Sequence, residues 1–188
     1  IHCELSMPGH EYVPMGTIDN DAVVFNSPSK SFNIAGLQTA NIICKDQQLK
    51  QRINRAININ EVCDLNPFGP VALVAAYNES EQWLDNLRDY LWQNYEYLVS
   101  LFKKTLPNIS ITQLEASYLT WIDITPTGMD ADTLTLKLMN EGRVMVSSGS
   151  IYGDNHHLRI NIACHMQRLI EGLQRITKII KETLHVDT

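Results

Sequence analysis

Two side chains in this sequence have types and settings that could do chemistry, Lys30 and Arg159. Lys30 follows the short apolar run Ala22 to Asn26 and sits among the hydroxyl residues Ser27, Ser29 and Ser31, with Asn33, Gly36 and Gln38 just beyond. A lysine at the mouth of a buried strand loses hydration, which favours its neutral, nucleophilic amine. Hydroxyls and backbone N–H groups beside it suit an anion such as phosphate. The competing reading is an ordinary surface lysine in a serine-rich turn, and these features alone favour it. Arg159 lies in His157-Leu158-Arg159-Ile160-Asn161-Ile162-Ala163, among apolar neighbours. An arginine there needs an anionic partner, and its planar fork matches a carboxylate. A structural ion pair with Asp or Glu is at least as common an outcome. Gly149, Tyr152 and Gly153 precede it and predict a flexible approach.

The other reactive types form no site. Cys3, Cys44, Cys63 and Cys164 are widely spaced with no CxxC pair, which excludes a disulfide scaffold or zinc module and reads as reduced thiols in a cytosolic protein. His2, His10, His156, His157, His165 and His185 include no H-x3-H or HExxH and are expected at the surface or in loops. The carboxylates make no catalytic pair, and GxSxG, Walker A and GxGxxG are all absent.

The elements that must position these residues follow from the patterning. The chain has 188 residues, 44% apolar and 19% charged, enough for one domain or two small ones with a real core. A formal charge of −6 disfavours a phosphate-backbone binder, so no nucleic-acid partner is expected. The longest apolar stretch, Val71 to Tyr77, is too short to span a bilayer. No signal peptide opens the chain, and Ile1 in place of an initiator Met predicts sequence upstream.

Residues 1–21 read as irregular, with Ile1 to Leu5 as the tail of a strand. Ala22 to Asn26 and Ala40 to Cys44 read as buried strands, and Asp46 caps a helix to about Ile57. Val71 to Tyr77 predicts a buried helix. Glu81 to Thr105 predicts one long helix, striped by Trp83, Leu84, Leu87, Leu91, Tyr95, Leu98 and Phe102 and stopped by Pro107. Ile109 to Ile111 and Tyr118 to Ile124 alternate as half-buried strands. Asp130 starts a helix through Leu134, Leu136 and Leu138, and Gly142 ends it. Val144 to Val146 and Leu158 to Ile162 are further strands. Met166 to about Leu184 is an amphipathic helix, apolar at Leu169, Leu173, Ile176, Ile179 and Ile180. The boundary falls near residue 80, giving domains over 1–80 and 81–188.

Ser27-Pro28-Ser29-Lys30-Ser31-Phe32-Asn33-Ile34-Ala35-Gly36 resembles the lysine segment of fold-type I pyridoxal-phosphate (PLP) enzymes. The nearest group is that of the MalY/PatB-type cystathionine β-lyases (C–S lyases) and class I/II aminotransferases. Four further stretches match in order: Ile1 to Leu5, Asn66 to Gly69 leading through Ala75 to Tyr77 and Trp83-Leu84, Glu115 to Asp123, and Gly149 and Gly153 before Leu158 to Ala163. Together they cover essentially the whole chain.

The resemblance implies an α/β, PLP-dependent transferase-like fold of type I. This chain would form the end of its large domain and the α+β small C-terminal domain. It implies PLP held as a covalent aldimine on Lys30, which also shuttles the Cα and C4′ protons. It implies Ser27 as a phosphate contact, His2 facing the cofactor's O3′, and Arg159 holding the substrate α-carboxylate. Family members are about twice this length by ordinary two-domain arithmetic. The aspartate that pairs with the pyridine nitrogen would fall before Ile1. Gln38 stands where aminotransferases often have a phosphate-binding Arg, Ala116 replaces a usual Gly, and His156 stands where the loop often has another Gly.

The implied activity is C–S β-lysis of a sulfur-containing amino acid, with aminotransfer as the alternative, since both use the same lysine and arginine. A different class of reading is a non-catalytic fragment or assembly partner without cofactor. The 188 residues alone are expected to be inactive and the full-length parent active, as a cytoplasmic homodimer with no membrane association.

Overall fold

The computed structural model describes residues 1–61 and 64–184. Of the residues singled out above, Cys63 and His185 lie outside the described residues. The chain divides into two compact units, Ile1–Arg88 and Asp89–Thr188.

In the first unit a short helix α1 (Met15–Ile18) precedes an antiparallel ribbon of β1 (Val24–Asn26) and β2 (Asn41–Ile43). Its register pairs Val24 with Ile43, Phe25 with Ile42 and Asn26 with Asn41. Lys30 sits in the connection between these strands. Helix α2 (Gln47–Ile59) starts where expected, with the Asp46 carboxylate accepting the Leu49 N–H. Helix α3 (Phe68–Glu79) follows.

Several expectations fail here for one reason. β1, β2 and α3 form, but they are largely uncovered: Phe25 is 65%, Ile43 53% and Val71 70% exposed, and of α3 Gly69 and Ala76 alone are buried. A continuous apolar run specifies a segment that needs cover, not what supplies it, and a two-stranded ribbon with two helices has too little surface to cover every face. Ile1 to Leu5 is a turn rather than a strand, closed by Leu5 N–H donating to the His2 carbonyl.

Helix α4 (Glu81–Thr105) runs as predicted, and the boundary between the two units falls within it. Its stripe is buried at Leu84, Leu91, Tyr95, Leu98 and Phe102, while Trp83 is exposed. The second unit adds a four-stranded antiparallel sheet in the order β3 (Ser110–Ile111), β4 (Leu119–Asp123), β6 (His157–Asn161), β5 (Ser147–Ser148). Helices α5 (Ala131–Asn140) and α6 (Met166–Leu184) complete it.

Strand alternation divides the sheet cleanly. Thr120 and Ile122 of β4 and Leu158 and Ile160 of β6 are buried. Leu119, Trp121, Asp123, His157 and Arg159 are half-buried and share the other face. All five apolar residues predicted for the α6 stripe are buried, as are Leu134 and Leu138 of α5, whereas Leu136 is exposed. Asp130 caps α5 by accepting the Thr133 N–H.

One expectation about the turn after α5 is corrected. The helix ends just before Gly142 as expected, and the left-handed residue of the turn is Arg143, at φ 53°. Gly142 is needed for closeness, since a Cβ there would lie 2.8 Å from the Leu138 carbonyl oxygen. Val144 to Val146 is not a strand. The chain leaves Arg143 irregularly and reaches the sheet edge only at Ser147, which pairs with Arg159.

Asn94 of α4 is fully buried and fastens the chain just after β6: its amide donates to the carbonyls of Ile162 (2.8 Å) and Cys164 (3.0 Å). Its own Oδ1 has no partner among the described residues. Among those residues no helix is long and apolar enough to cross a membrane, and Cys3, Cys44 and Cys164 are unbridged.

Candidate functional site

The predicted site residues fall in both units, with His2, Ser27 and Lys30 in the first and Arg159 in the second.

Lys30 occupies a helical-type turn in which the Phe32 N–H donates to the Pro28 carbonyl at 3.0 Å. Ser27 is buried and anchors the turn's entry. Its hydroxyl donates to the Thr39 carbonyl at 2.6 Å, and its oxygen receives the Ser29 N–H at 3.2 Å and lies 2.7 Å from the Ser29 hydroxyl. The close approach of Gly69 packs the far side, where a Cβ would meet Thr39 Oγ1 at 2.0 Å.

Lys30 itself is exposed. The desolvation expected of it is therefore not supplied by the described residues: the ribbon beside the turn is too narrow to bury it. Its ammonium makes no hydrogen bond or ion pair among the described residues. His2 is half-buried nearby. Burial holds its imidazole below the ordinary value, aided by the positive charges of the chain's amino terminus and Lys30 and opposed by Glu4.

The exit of the turn is held by groups that sequence reasoning missed. Ser31, fully buried, donates to Glu4 Oε2 at 2.6 Å. The Tyr77 hydroxyl lies 3.0 Å from Glu4 Oε1 and 2.7 Å from Asn26 Oδ1, dividing one proton between them. The Asn26 amide donates to Cys3 Sγ at 3.1 Å, and Arg88 Nε donates to the Glu4 carbonyl at 2.6 Å.

Burial raises the Glu4 carboxyl, but hydrogen bonds led by that from Ser31 outweigh it and hold the group below the usual carboxylate range. Burial, then the Glu4 charge, push Tyr77 far up, and burial and Glu4 also raise Cys3. The signal for this network was only the Ile1 to Leu5 stretch, read above for His2 rather than for Glu4.

In the second unit Arg159 stands on the open face of the sheet, across from Trp121 on one side and Ser147 on the other. Its guanidinium lies 4.4 Å from the Tyr152 ring centroid and makes one long hydrogen bond, 3.5 Å, to Ser147 Oγ. No carboxylate pairs with it among the described residues, so the structural ion pair weighed for it is not formed there.

Trp121 stacks on His157 at 5.2 Å and meets Tyr152 edge-on at 5.9 Å. The His157 ring, placed in a loop or at the surface by sequence, is instead half-buried in this platform, with Asp154 2.8 Å from its Nδ1.

The approach to Arg159 is a hydrogen-bonded turn. Gly149–Tyr152 is a 3-10 turn capped by the Ser148 hydroxyl accepting the Ser150 N–H, and Ser150 Oγ donates to Asp132 at 2.6 Å. Gly153 closes it at φ 87°, a conformation glycine adopts at little cost. Among the described residues no cluster of His, Cys, Asp and Glu could hold a metal.

The first unit thus holds an exposed amine on a hydrogen-bonded turn, and the second a guanidinium on an aromatic platform with no carboxylate beside it among the described residues. Residues 7–176 match the model of the aminotransferase class I and II family, and the chain belongs to that family. Cystathionine beta-lyase PatB of Bacillus subtilis (strain 168) is 32% identical over 182 residues, which are 94% of this chain and 47% of that protein.

Among solved structures, a PLP-bound putative aminotransferase from Clostridium difficile 630 superposes with a TM-score of 0.92 at 29% identity, covering 96% of this chain and 48% of that one. Cystalysin from Treponema denticola, which contains a pyridoxal 5′-phosphate cofactor, gives 0.91 at 29% identity, covering 97% and 48%. The fold is thus that of the fold-type I PLP enzymes. The chain spans about half the length of the curated relatives it matches.

Proposed function

We propose that the protein containing this chain is a PLP-dependent C–S β-lyase acting on a sulfur-containing amino acid. Lys30 is the residue that bonds the cofactor and moves the substrate's Cα proton, and Arg159 holds the substrate carboxylate. The observation that carries the reading is the Lys30 amine itself. It is a primary amine with no ion pair to break, on a turn fixed at both ends by hydrogen bonds. That donor set fits an aldehyde cofactor.

PLP, when bound, supplies the electron sink that makes the Cα proton removable and the Cβ–S bond breakable. The chain's own residues supply the rest. Lys30 would hold the cofactor through its amine and accept the proton from the substrate's Cα. His2, beside Lys30 in charge terms, lends an imidazole whose basicity burial lowers. Ser27 fixes the turn through Thr39 and sits at the position read as the phosphate contact. Arg159 presents its free fork to a carboxylate while Tyr152 and Trp121 shield one side from water. In this reading residues 1–80 belong to the cofactor-binding domain and 81–188 to the small domain, and the protein is a cytoplasmic homodimer.

Incubation with PLP, borohydride reduction and peptide mapping tests the reading. A phosphopyridoxyl group concentrated on Lys30 is expected. Labelling spread over surface lysines with none preferred would overturn it. Aminotransfer is the second reading, favoured by the family model that the chain matches. Release of thiol, pyruvate and ammonia supports lysis, whereas amino-group delivery to an added keto acid supports transfer.

Arg159→Lys keeps a positive charge but loses the two-pronged donor geometry. The expected result is a rise in KM of about 10- to 100-fold, the loss of one charge-assisted hydrogen bond, with a smaller change in kcat. An unchanged KM would remove Arg159 from the substrate site.

A further inference from the structure

We propose that Glu4 is the positioning residue for Lys30, acting as a two-sided acceptor that fixes the lysine turn from outside it. This rests on the reading of Lys30 as the cofactor-bonding amine. The turn has two ends. Its entry follows Asn26 and its exit is Ser31, and both are tied to the same carboxylate: Ser31 directly at 2.6 Å, and Asn26 through the Tyr77 hydroxyl, 3.0 Å from Glu4 and 2.7 Å from Asn26.

Glu4 is itself fixed at its backbone, where its carbonyl accepts Arg88 Nε, and that arginine is braced by Asp85 at 2.7 Å. Phe32, the next residue along, packs edge-on against Tyr77 at 5.5 Å and stacks on Trp83 at 6.0 Å. Lys30 is thus the exposed member of a segment whose neighbours are all held. A turn held at one end only would let an exposed lysine sample many directions, and a reactive amine misplaced by an ångström loses most of its advantage.

The role is geometric. Glutamine at position 4 keeps an oxygen for Ser31 and offers an amide N–H to the Tyr77 oxygen, whose proton then goes wholly to Asn26. Alanine removes both supports. Two readouts on the full protein separate the possibilities. The first needs no cofactor: amide hydrogen exchange across Ser29 to Phe32, with β4 and β6 as the internal reference. Losing hydrogen bonds to a charged group is expected to speed exchange there by about 10- to 100-fold in Glu4→Ala and to leave β4 and β6 unchanged. Glu4→Gln restores the slow exchange.

The second readout is the yield of borohydride-fixed PLP adduct on Lys30 relative to Lys178, which falls in Glu4→Ala and recovers in Glu4→Gln. Wild-type exchange in Glu4→Ala, or a loosening in Glu4→Gln equal to that in alanine, would overturn the proposal. Should Glu4→Ala unfold throughout, Tyr77→Phe removes only the entry-side link. It is then expected to speed exchange at the turn without touching β4 and β6, and unchanged exchange in that variant overturns the proposal equally. Exchange behaving as expected with no preferred Lys30 adduct in the unsubstituted protein leaves the positioning intact and refutes the cofactor reading instead.

Discussion

Lys30→Arg is expected to lower kcat of the cofactor-loaded protein by about 10³-fold or more, within the range for loss of a positioned general acid–base, with the added loss of the bond to cofactor. The substitution is nearly conservative in charge and length, which makes it informative. Arginine cannot give up a proton under ordinary conditions, so it offers neither a nucleophilic amine nor a base. Lys30 is exposed and makes no hydrogen bond or ion pair among the described residues. Its replacement therefore removes no contact of the fold, and the melting temperature is expected to stay within about 1–2 °C, as for a surface change. Activity and stability thus separate in one variant. Retention of a tenth or more of wild-type turnover would show that another amine does the work.

Gly149→Ala is expected to have the largest effect on the fold. A Cβ at this buried position would lie 2.3 Å from the Asp154 carbonyl oxygen and 2.4 Å from that of His157. Both obstacles are backbone, and the second belongs to the first residue of β6, two residues before Arg159. Relief requires moving the strand. The expected cost is about 3 kcal/mol or more, the upper end for overpacking against atoms that cannot rotate away, which lowers the melting temperature by about 6–12 °C for a protein of this size. Gly153→Ala is the matched control four residues on. A Cβ there meets nothing within 4 Å, and only the positive φ opposes it, at a cost of about 1 kcal/mol. Thermal melts of the two variants check the pair. Equal shifts would mean that crowding at Gly149 is not what the turn depends on.

What the sequence made legible, and what it hid, follows a physical line. Local codes were readable. Asp46 and Asp130 cap the helices they were expected to cap, and α4 and α6 carry stripes whose 3.6-residue period marks their buried faces. Alternation in Tyr118 to Ile124 placed Trp121 and Ile122 on opposite faces of β4. Apolar runs without a period were misread at α3 and β2, because hydrophobicity alone does not identify the covering surface.

The site divides in the same way. Lys30 and Arg159 were singled out through motifs, since their segments carry recognisable neighbours. The supports were not: Glu4 meets Ser31 across 27 residues and Tyr77 across 73, and no local pattern announces such a meeting. The unpaired state of Arg159 was equally hidden, because a lone arginine in a strand reads the same with or without a carboxylate opposite.

Asn94 carries a consequence for how this sequence can drift. One buried amide serves two carbonyls, those of Ile162 and Cys164, at the end of the strand that bears Arg159. Aspartate would turn an oxygen toward both carbonyls, leucine would leave both without a donor, and glutamine adds a methylene where nothing yields. Each of these three replacements is therefore a worse solution. A replacement that loses the two donors is expected to persist only with a compensating change in the loop after β6, whereas Gln93, exposed on the same helix, carries no such constraint.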